Sequence, residues 1–116
     1  MQRTEQDGII ISCDFCGVDW DPHDETYANP MVEGHHGSVI CLTCLRDALE
    51  QLAPREAGFD CCMCLQHREA GTEAWAHPAP QPGPGLNPHA VACRPCIRQA
   101  AGRFSKDPDV QWKWEH

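Results

Sequence analysis

The sequence predicts a small α+β fold built from two similar halves. Three observations predict it. Eight of the nine cysteines form C-x-x-C pairs, the pattern around these pairs occurs twice, and strongly apolar residues are scarce. Leu, Ile, Val and Phe total 19 of 116 residues, about 16%, which is below the fraction at which a charged chain normally folds. The cysteines are therefore expected to stabilise the fold.

The four C-x-x-C pairs have the spacing at which two thiolates reach one tetrahedral ion, with each sulfur about 2.3 Å from it. A redox motif needs only one such pair, whereas four pairs favour structural zinc, with two ions per chain. The predicted metal ligands are Cys13 with Cys16, Cys41 with Cys44, Cys61 with Cys64, and Cys93 with Cys96.

An internal repeat indicates which pairs share an ion. Residues 13–53 align with residues 61–104 so that the cysteines coincide, and the loops inside the two halves have 24 and 28 residues. Each half therefore contains one complete set of four cysteines. The repeat predicts that the first and second pairs hold one ion, and that the third and fourth pairs hold the other.

Cys62 is the ninth cysteine. It aligns with Asp14, which is not a metal ligand, whereas its neighbour Cys61 aligns with Cys13. Pairing Cys62 with Cys64 would leave only one residue between two ligands, fewer than in the other pairs. The sequence therefore predicts that Cys62 is a spare thiol, either a small buried hydrophobe or an exposed residue without metal.

Each half is predicted to contain a knuckle, a β-hairpin and a helix. In the first half, residues 38–41 are expected to form a strand and residues 33–37 its turn. In the second half, residues 77–89 contain five prolines and two glycines, which predicts an extended or disordered loop and favours a solvated linker. Residues 90–93 are then expected to return to the ion.

A helix is predicted after the second pair of each half. In the first half, leucines at i, i+4 and i+7 form one apolar stripe that ends before Pro54. In the second half, Pro95 suits a first helical turn and Gly102 a helix end. The positive end of each helix dipole would lie beside the thiolates and favour their negative charge. The leucines are Leu45, Leu49 and Leu52.

The predicted organisation is a first zinc finger at 1–56, a second at 57–106, and a tail at 107–116. Apolar residues alternate in the tail, as they would on one face of an edge strand. Packing on a small core would explain them, and so would contact with a partner. These residues are Val110, Trp112 and Trp114.

The formal charge of −8 constrains the partner. Two tetrathiolate zinc centres would bring it to about −12. Such a polyanion is repelled by DNA, RNA and anionic membranes, so a protein partner is the better expectation. The monomer and the homodimer remain equally open.

A cytoplasmic location is expected. The apolar run Ile9–Ile11 is too short for a signal peptide, and no later stretch is long enough to cross a bilayer. In a reducing compartment, paired cysteines bind metal more often than they form disulfides.

The segments "CDFCG" and "VICLTCLRDAL" resemble the zinc-binding amino-terminal domain of ClpX-type unfoldases, a treble-clef zinc finger. The match covers residues 13 to about 53, and more weakly residues 61–104, where Met63 and Leu65 replace the family's Phe and Gly. The resemblance implies a tandem docking module that holds adaptors or substrates and binds no nucleic acid. The sequence contains no GxxxxGK[ST] motif, so the unfoldase activity itself is not implied.

Two other architectures or functions stay open from the sequence. A RING- or PHD-like cross-brace would join the first pair to the third and the second pair to the fourth. Nucleic-acid binding is favoured by basic residues around the second helix, although acidic residues follow at once. The basic residues are Arg94, Arg98, Arg103 and Lys106.

Catalysis is not expected, because four sulfurs close the zinc tetrahedron and leave no position for water or substrate. His35 or His36 would change this only by replacing a cysteine ligand. The predicted function is thus a non-catalytic module that docks a protein partner as an adaptor or regulator, through the exposed helix faces and the tryptophan tail.

Overall fold

The computed structural model describes residues 2–5, 8–20, 29–34, 38–79, 83, 86–87, 89–108, 110 and 112–113. These residues form a small α+β arrangement of two helices and several short antiparallel sheets. No helix in the described ranges is both long enough and apolar enough to cross a membrane. The elements are β1 Gln2–Glu5, β2 Gly8–Ile11, β3 Met31–Glu33, β4 Val39–Cys41, α1 Leu42–Gln51, β5 Ala53–Pro54, β6 Phe59–Asp60, β7 His67–Arg68, β8 Glu73–Trp75, β9 Ala92–Cys93 and α2 Arg94–Lys106.

The strand predicted before the second cysteine pair is present as β4. It pairs with β3 in antiparallel register, with Val32 opposite Ile40, and all three β4 residues are buried. The predicted turn residues 35–37, which include His35 and His36, lie outside the described residues. The strand therefore delivers Cys41 directly to the start of the first helix.

Helix α1 begins at the cysteine pair, as the leucine stripe and the pair's position predict. Cys41 is its N-cap, and the Cys41 sulfur accepts a hydrogen bond from the backbone N–H of Cys44. The exposed N–H of Thr43 donates to Oδ1 of Asn29, at 3.0 Å, so a neighbouring loop satisfies one of the free donors of the first turn. The helix ends at Gln51, and Leu52 packs on the core just beyond it.

Helix α2 is longer than predicted. Gly102 does not end it, and the helix continues for another turn to Lys106. Phe104 explains the extension, because its side chain is only 1% exposed and lies in the core. Arg103 and Lys106 occupy the last turn, where positive charge interacts favourably with the helix dipole. The packing of Phe104 thus overrides the helix-ending tendency of glycine.

Gly102→Ala is expected to raise the free energy of unfolding by about 1 kcal/mol, because alanine has the higher helix propensity. A Cβ built on Gly102 meets nothing within 4 Å, so no clash offsets the gain. Urea denaturation of the metal-loaded protein would measure the change. An unchanged or lower stability would show that this helical turn is not formed in solution.

The second half contains the predicted antiparallel strand pair, formed by β8 and β9, and also strands that the sequence did not reveal. β8 lies at the centre of a three-stranded sheet, between β5 and β9, with Trp75 opposite Ala92. β6 and β7 form a separate two-stranded sheet around the third cysteine pair. Within the predicted proline-rich loop, the N–H of Asn87 donates to the carbonyl of Asp14 at 3.0 Å, which ties the loop to the first knuckle.

The tail prediction is wrong in its secondary structure where the tail is described, since no strand includes Val110, Trp112 or Lys113. Val110 is buried, and Trp112 is half-buried against the core. The ammonium group of Lys113 donates to three backbone carbonyls, including that of Val110, and holds the tail against the end of α2. Trp114 lies outside the described residues.

One hydrophobic core contains residues from both halves of the repeat. β5, which follows α1, pairs with β8, and the two helices contact each other. The division at residues 56 and 57 stays a prediction about sequence units. The largest fully buried apolar side chains are Phe15, Phe104, Ile40, Leu45, Ile97 and Val39.

Candidate metal centres

The structure brings the eight paired cysteines together in two groups, each able to hold a metal ion. Within each group the four sulfurs lie within 4.8 Å of one another. The first group joins the first and second pairs, and the second group joins the third and fourth. The groups are Cys13, Cys16, Cys41 and Cys44, and Cys61, Cys64, Cys93 and Cys96.

Sulfur separations in the first group match the edges of a metal tetrahedron. A bond of about 2.3 Å from metal to sulfur gives a tetrahedral edge of about 3.8 Å. The sulfurs of Cys13 and Cys44 are 3.7 Å apart, and those of Cys16 and Cys41 are 3.8 Å apart. A disulfide requires about 2.05 Å, and all nine cysteines are free. The first group therefore fits a tetrahedral ion.

The second group has the same dimensions. Its sulfurs are 3.8 Å apart between Cys61 and Cys96, 3.9 Å apart between Cys64 and Cys93, and 3.5 Å apart between Cys93 and Cys96. Three cysteines of each group are buried, and the second cysteine of each knuckle is half-buried. The two groups are therefore equally suited to a tetrahedral ion in size and in exposure.

The knuckle and the strand of each half are joined by equivalent hydrogen bonds. The N–H of Asp14 donates to the carbonyl of Val39 at 2.9 Å, and the N–H of Cys62 donates to the carbonyl of Val91 at 2.9 Å. The repeat aligns these residues with each other. The structure thus supports the alignment that places Cys62 at a position outside the ligand set.

Backbone N–H groups also reach the sulfurs equivalently. The N–H of Cys41 lies 3.4 Å from the sulfur of Cys13, and the N–H of Cys93 lies 3.4 Å from the sulfur of Cys61. Such donors stabilise thiolate charge. Each of these donors belongs to the N-cap residue that directly precedes the helix, and in α1 the helical N–H of Cys44 also donates to the sulfur of Cys41.

Each knuckle turns through a residue with positive φ. Gly17 follows the first knuckle with φ +81°, and Leu65 occupies the same position in the second with φ +59°. The N–H of each donates to the carbonyl four residues earlier, at 2.8 and 2.9 Å. Leucine is strained in this region because its Cβ approaches the following carbonyl. A leucine at the position where the first knuckle has glycine therefore carries a backbone cost.

Leu65→Gly is expected to stabilise the protein. Relief of the strain at positive φ should raise the free energy of unfolding by about 1–2 kcal/mol. The greater freedom of glycine in the unfolded chain should lower it by about 0.5–1 kcal/mol. A net gain of about 0.5–1 kcal/mol is expected in urea denaturation. The reverse change, Gly17→Leu, should destabilise the first knuckle. A loss of stability in Leu65→Gly would contradict the turn geometry.

Within each group, one thiol ionises more easily because a neighbouring thiol donates a hydrogen bond to it, and the neighbour then ionises less easily. In the second group, hydrogen bonding with Cys96 lowers the pKa of the Cys61 thiol to about 4, and the same pairing raises the pKa of Cys96. In the first group, hydrogen bonding with Cys13 lowers the pKa of Cys16 and raises that of Cys44. Four ionised thiolates need a cation among them, which a divalent ion supplies.

Cys62 lies outside both groups, as the repeat predicts. It is half-buried and packs on the core. Burial raises the pKa of the Cys62 thiol to about 12, so the thiol is neutral at pH 7 and reacts slowly with electrophiles. Its place in the structure is that of a small apolar residue.

Each knuckle packs against the other half. The rings of Phe15 and Trp75 have centroids 5.4 Å apart, and Nε1 of Trp75 donates to Oε1 of Gln51 at 2.9 Å. Met63 of the second knuckle likewise packs against Gly34 of the first half. The packing is so close that a Cβ atom at Gly34 would lie 3.1 Å from Cε of Met63. Phe15 and Met63 are equivalent in the repeat, so the halves are packed reciprocally.

Sequence reasoning missed Arg68 as a neighbour of the second group. Its Nη2 donates to the sulfur of Cys64 at 3.7 Å. The sequence feature that could have indicated this contact is a basic residue four positions after the second cysteine of the knuckle. The equivalent residue of the first half is Trp20. Only the pairing of β6 with β7 brings the Arg68 side chain back to the sulfurs.

The sequential grouping shows that the cross-brace alternative is wrong, because that architecture interleaves the pairs. The basic residues of α2 are exposed, and Nη1 of Arg103 donates to the carbonyl of Glu33 at 2.7 Å. Arg103 thus has a structural contact with the first half. Its neighbours in the basic group are Arg94, Arg98 and Lys106.

No family model, curated protein or solved structure matches this chain, so the sulfur geometry and the repeat carry the functional argument.

Proposed function

We propose that the chain is a non-catalytic, zinc-stabilised interaction module that docks a protein partner. In this proposal each half is a treble-clef-like finger, and the two fingers pack as a pseudo-symmetric pair within one chain, as a tandem version of the ClpX-type zinc-binding domain would. The observation that carries the proposal is the completeness of both four-sulfur groups. Zinc is the metal proposed, because tetrahedral all-sulfur sites are typical of structural zinc.

Complete sulfur sets argue against catalysis at the metals. Catalytic zinc keeps an open position for water or substrate, whereas a closed four-sulfur site does not. The cysteines are mostly buried, and the N–H groups around them stabilise thiolate charge rather than a reacting substrate. The proposed work of the metals is to hold the fold, which a core this small does not hold by itself.

The reciprocal packing of the halves supports the pseudo-symmetric pair. Val32 and Trp75 are equivalent, because they lie opposite Ile40 and Ala92, which align in the repeat. Trp75 packs on the first knuckle. Val32 lines a small cavity together with Met63 of the second knuckle. A pair of related domains would make the same exchange of contacts.

An apolar groove next to the first knuckle is the proposed docking surface. It has a volume of about 250 Å³. Trp20 on its wall is 43% exposed, and Val18 nearby is 42% exposed. Exposed apolar side chains beside a groove are typical of protein interaction sites. The groove is lined by Ile11, Trp20, Pro30, Met31, Glu33, Val39 and Asp107.

The negative charge of the groove and of the whole chain indicates that the partner segment is basic. The groove lining includes Glu33 and Asp107, and the whole chain carries −8. The proposed occupant is a protein segment with one apolar anchor next to lysine or arginine, because opposite charges speed association and exclude acidic competitors. A cytoplasmic partner is expected, in line with reduced cysteines.

Selection from a randomised peptide library by the metal-loaded full chain tests this surface. Peptides with an apolar residue beside lysine or arginine should be enriched. Their binding should weaken at least tenfold in Trp20→Ala, because an aromatic hot-spot residue contributes about 2 kcal/mol or more. Leu65→Ala, at the other exposed knuckle, should bind as the unaltered protein does. Enrichment of acidic peptides, or equal binding by Trp20→Ala, would overturn the proposal.

Nucleic-acid binding is the second candidate, because the basic residues of α2 are exposed. Gel shifts with duplex DNA and RNA at increasing salt separate the two functions. Binding that survives moderate salt and weakens in Arg98→Ala would favour this candidate. If neither DNA nor RNA binds even at low ionic strength, where contacts to phosphates are strongest, nucleic-acid binding is excluded and the protein-docking proposal stands.

A further inference from the structure

The two sulfur groups differ in one contact. Arg68 lies on β7, half-buried, and its Nη2 donates to the sulfur of Cys64 at 3.7 Å. Its Nε is buried and has no hydrogen-bond partner within the described part of the protein. The guanidinium is charged at every pH at which the protein is folded, because arginine does not lose its proton in proteins. A positive charge therefore lies directly beside the second group.

The first group has no arginine in the equivalent place. The alignment that superimposes Cys16 on Cys64 puts Trp20 at the position of Arg68. Among the described residues, the polar contacts to the sulfurs of the first group come from backbone N–H groups and from the other sulfurs. Burial does not separate the groups, since three cysteines are buried and one is half-buried in each. Charge is therefore the main difference between the two sites.

We propose that Arg68 is a positioning residue that makes the two metal centres unequal, so that the first centre gives up its metal before the second. A divalent ion with four thiolates carries a formal charge of −2. The guanidinium reduces this to about −1 at the second centre, and its N–H group draws electron density from the Cys64 sulfur. Both effects lower the nucleophilicity of the second group. Within the described part of the protein, no cationic side chain donates to a sulfur of the first group, so nothing there offsets its negative charge.

The charge difference between the two sulfur groups is expected to change how fast each group reacts with electrophiles and how readily it loses its metal to a chelator. A maleimide reacts when a thiolate sulfur adds to its C=C double bond: the S–C bond forms, the C=C π bond breaks, and the resulting enolate takes a proton from water. The alkylated sulfur is a neutral thioether and a poor ligand, so the group would then lose its metal ion. The more negative sulfur reacts faster, because the thiolate is the nucleophile. The inference rests on the metal occupancy in the proposed function, and it is independent of the proposed docking partner.

Alkylation of the zinc-loaded full chain by N-ethylmaleimide tests the order. Samples are quenched over time, and mass spectrometry identifies which cysteines are modified, while a chromophoric chelator reports zinc release. A count of two zinc ions per chain is required first, and a lower count would contradict the proposed function rather than this inference. The first group should be modified about three- to tenfold faster than the second. Cys62 is followed separately, as the thiol outside both groups.

Variants at position 68 assign the cause. Arg68→Gln should raise the alkylation rate of the second group about three- to tenfold, to near that of the first. Arg68→Lys keeps the charge and should restore much of the protection. Arg55→Gln removes an exposed arginine whose guanidinium lies over the ring of Phe59, and it should change neither rate. Circular dichroism of each zinc-loaded variant shows whether the fold is retained.

Equal modification of the two groups in the unaltered protein would overturn the inference, as would earlier modification of the second group. An Arg68→Gln protein that keeps its fold and its slow second group would also overturn it. A rise in reactivity that Arg68→Lys fails to reduce would show that packing by the guanidinium, and not its charge, protects the sulfurs.

Discussion

Cys61→Ser is expected to leave one tightly bound metal ion per chain, whereas Cys62→Ser is expected to leave two. The two cysteines are adjacent, yet only the sulfur of Cys61 lies in a four-sulfur group. A structural zinc site contributes on the order of 10 kcal/mol to folding in small domains. Loss of one centre should therefore lower the free energy of unfolding by several kcal/mol and destabilise the second half.

Elemental analysis after dialysis, followed by urea denaturation, measures this pair of variants. Cys62→Ser serves as the matched control, because it makes the same chemical change one residue away. Its stability should fall only modestly, since Cys62 is half-buried and packs on the core. Metal loss from Cys62→Ser, or two metals in Cys61→Ser, would show that the knuckle is in a different register.

Trp75→Ala is expected to destabilise the whole protein by about 3–5 kcal/mol, the usual effect of removing a large buried aromatic side chain. Trp75 is 3% exposed, contacts the ring of Phe15 and donates to Gln51. It belongs to the second half and packs on the first knuckle and the first helix. Its loss should therefore weaken both halves together.

Urea denaturation of the zinc-loaded protein, followed by circular dichroism and by metal release, checks this coupling. A single transition at lower urea is expected, with both metals released within it. Trp20→Ala is the control, because Trp20 is 43% exposed and its removal should cost much less. If one metal were released at an unchanged urea concentration in Trp75→Ala, the two halves would be independent folding units.

Reciprocal packing has a consequence for the proposed docking function. A domain that forms pairs through separate chains can exchange its partners, whereas two halves in one chain have a fixed orientation and a high effective concentration. The repeat also allows the halves to diverge. Trp20 and Arg68 occupy equivalent positions, one exposed beside an apolar groove and the other against a sulfur group. In the proposed function, one position thus belongs to the docking surface in the first half, whereas in the second half it contacts a cysteine sulfur.

The sequence by itself determined the grouping of the cysteines, the spare position of Cys62, and the place where each helix begins. These features depend on local spacing. Two residues between ligands set the knuckle, and the first cysteine of each second pair is the N-cap of the helix that follows. The repeat predicted that Cys62 is not a ligand, because it aligns with Asp14. The structure agrees, since the N–H groups of these two residues make equivalent backbone hydrogen bonds.

Only the tertiary structure decided how the halves meet and where the metal sites differ. The contact of Phe15 with Trp75 joins residues 60 positions apart, and no local pattern encodes such a pairing. Helix α2 extends past Gly102 because Phe104 finds a place in the shared core, a gain that outweighs the low helix propensity of glycine. Arg68 reaches Cys64 because β7 folds back on β6. Long-range burial and strand pairing depend on the whole chain, whereas ligand spacing depends only on a few neighbouring residues.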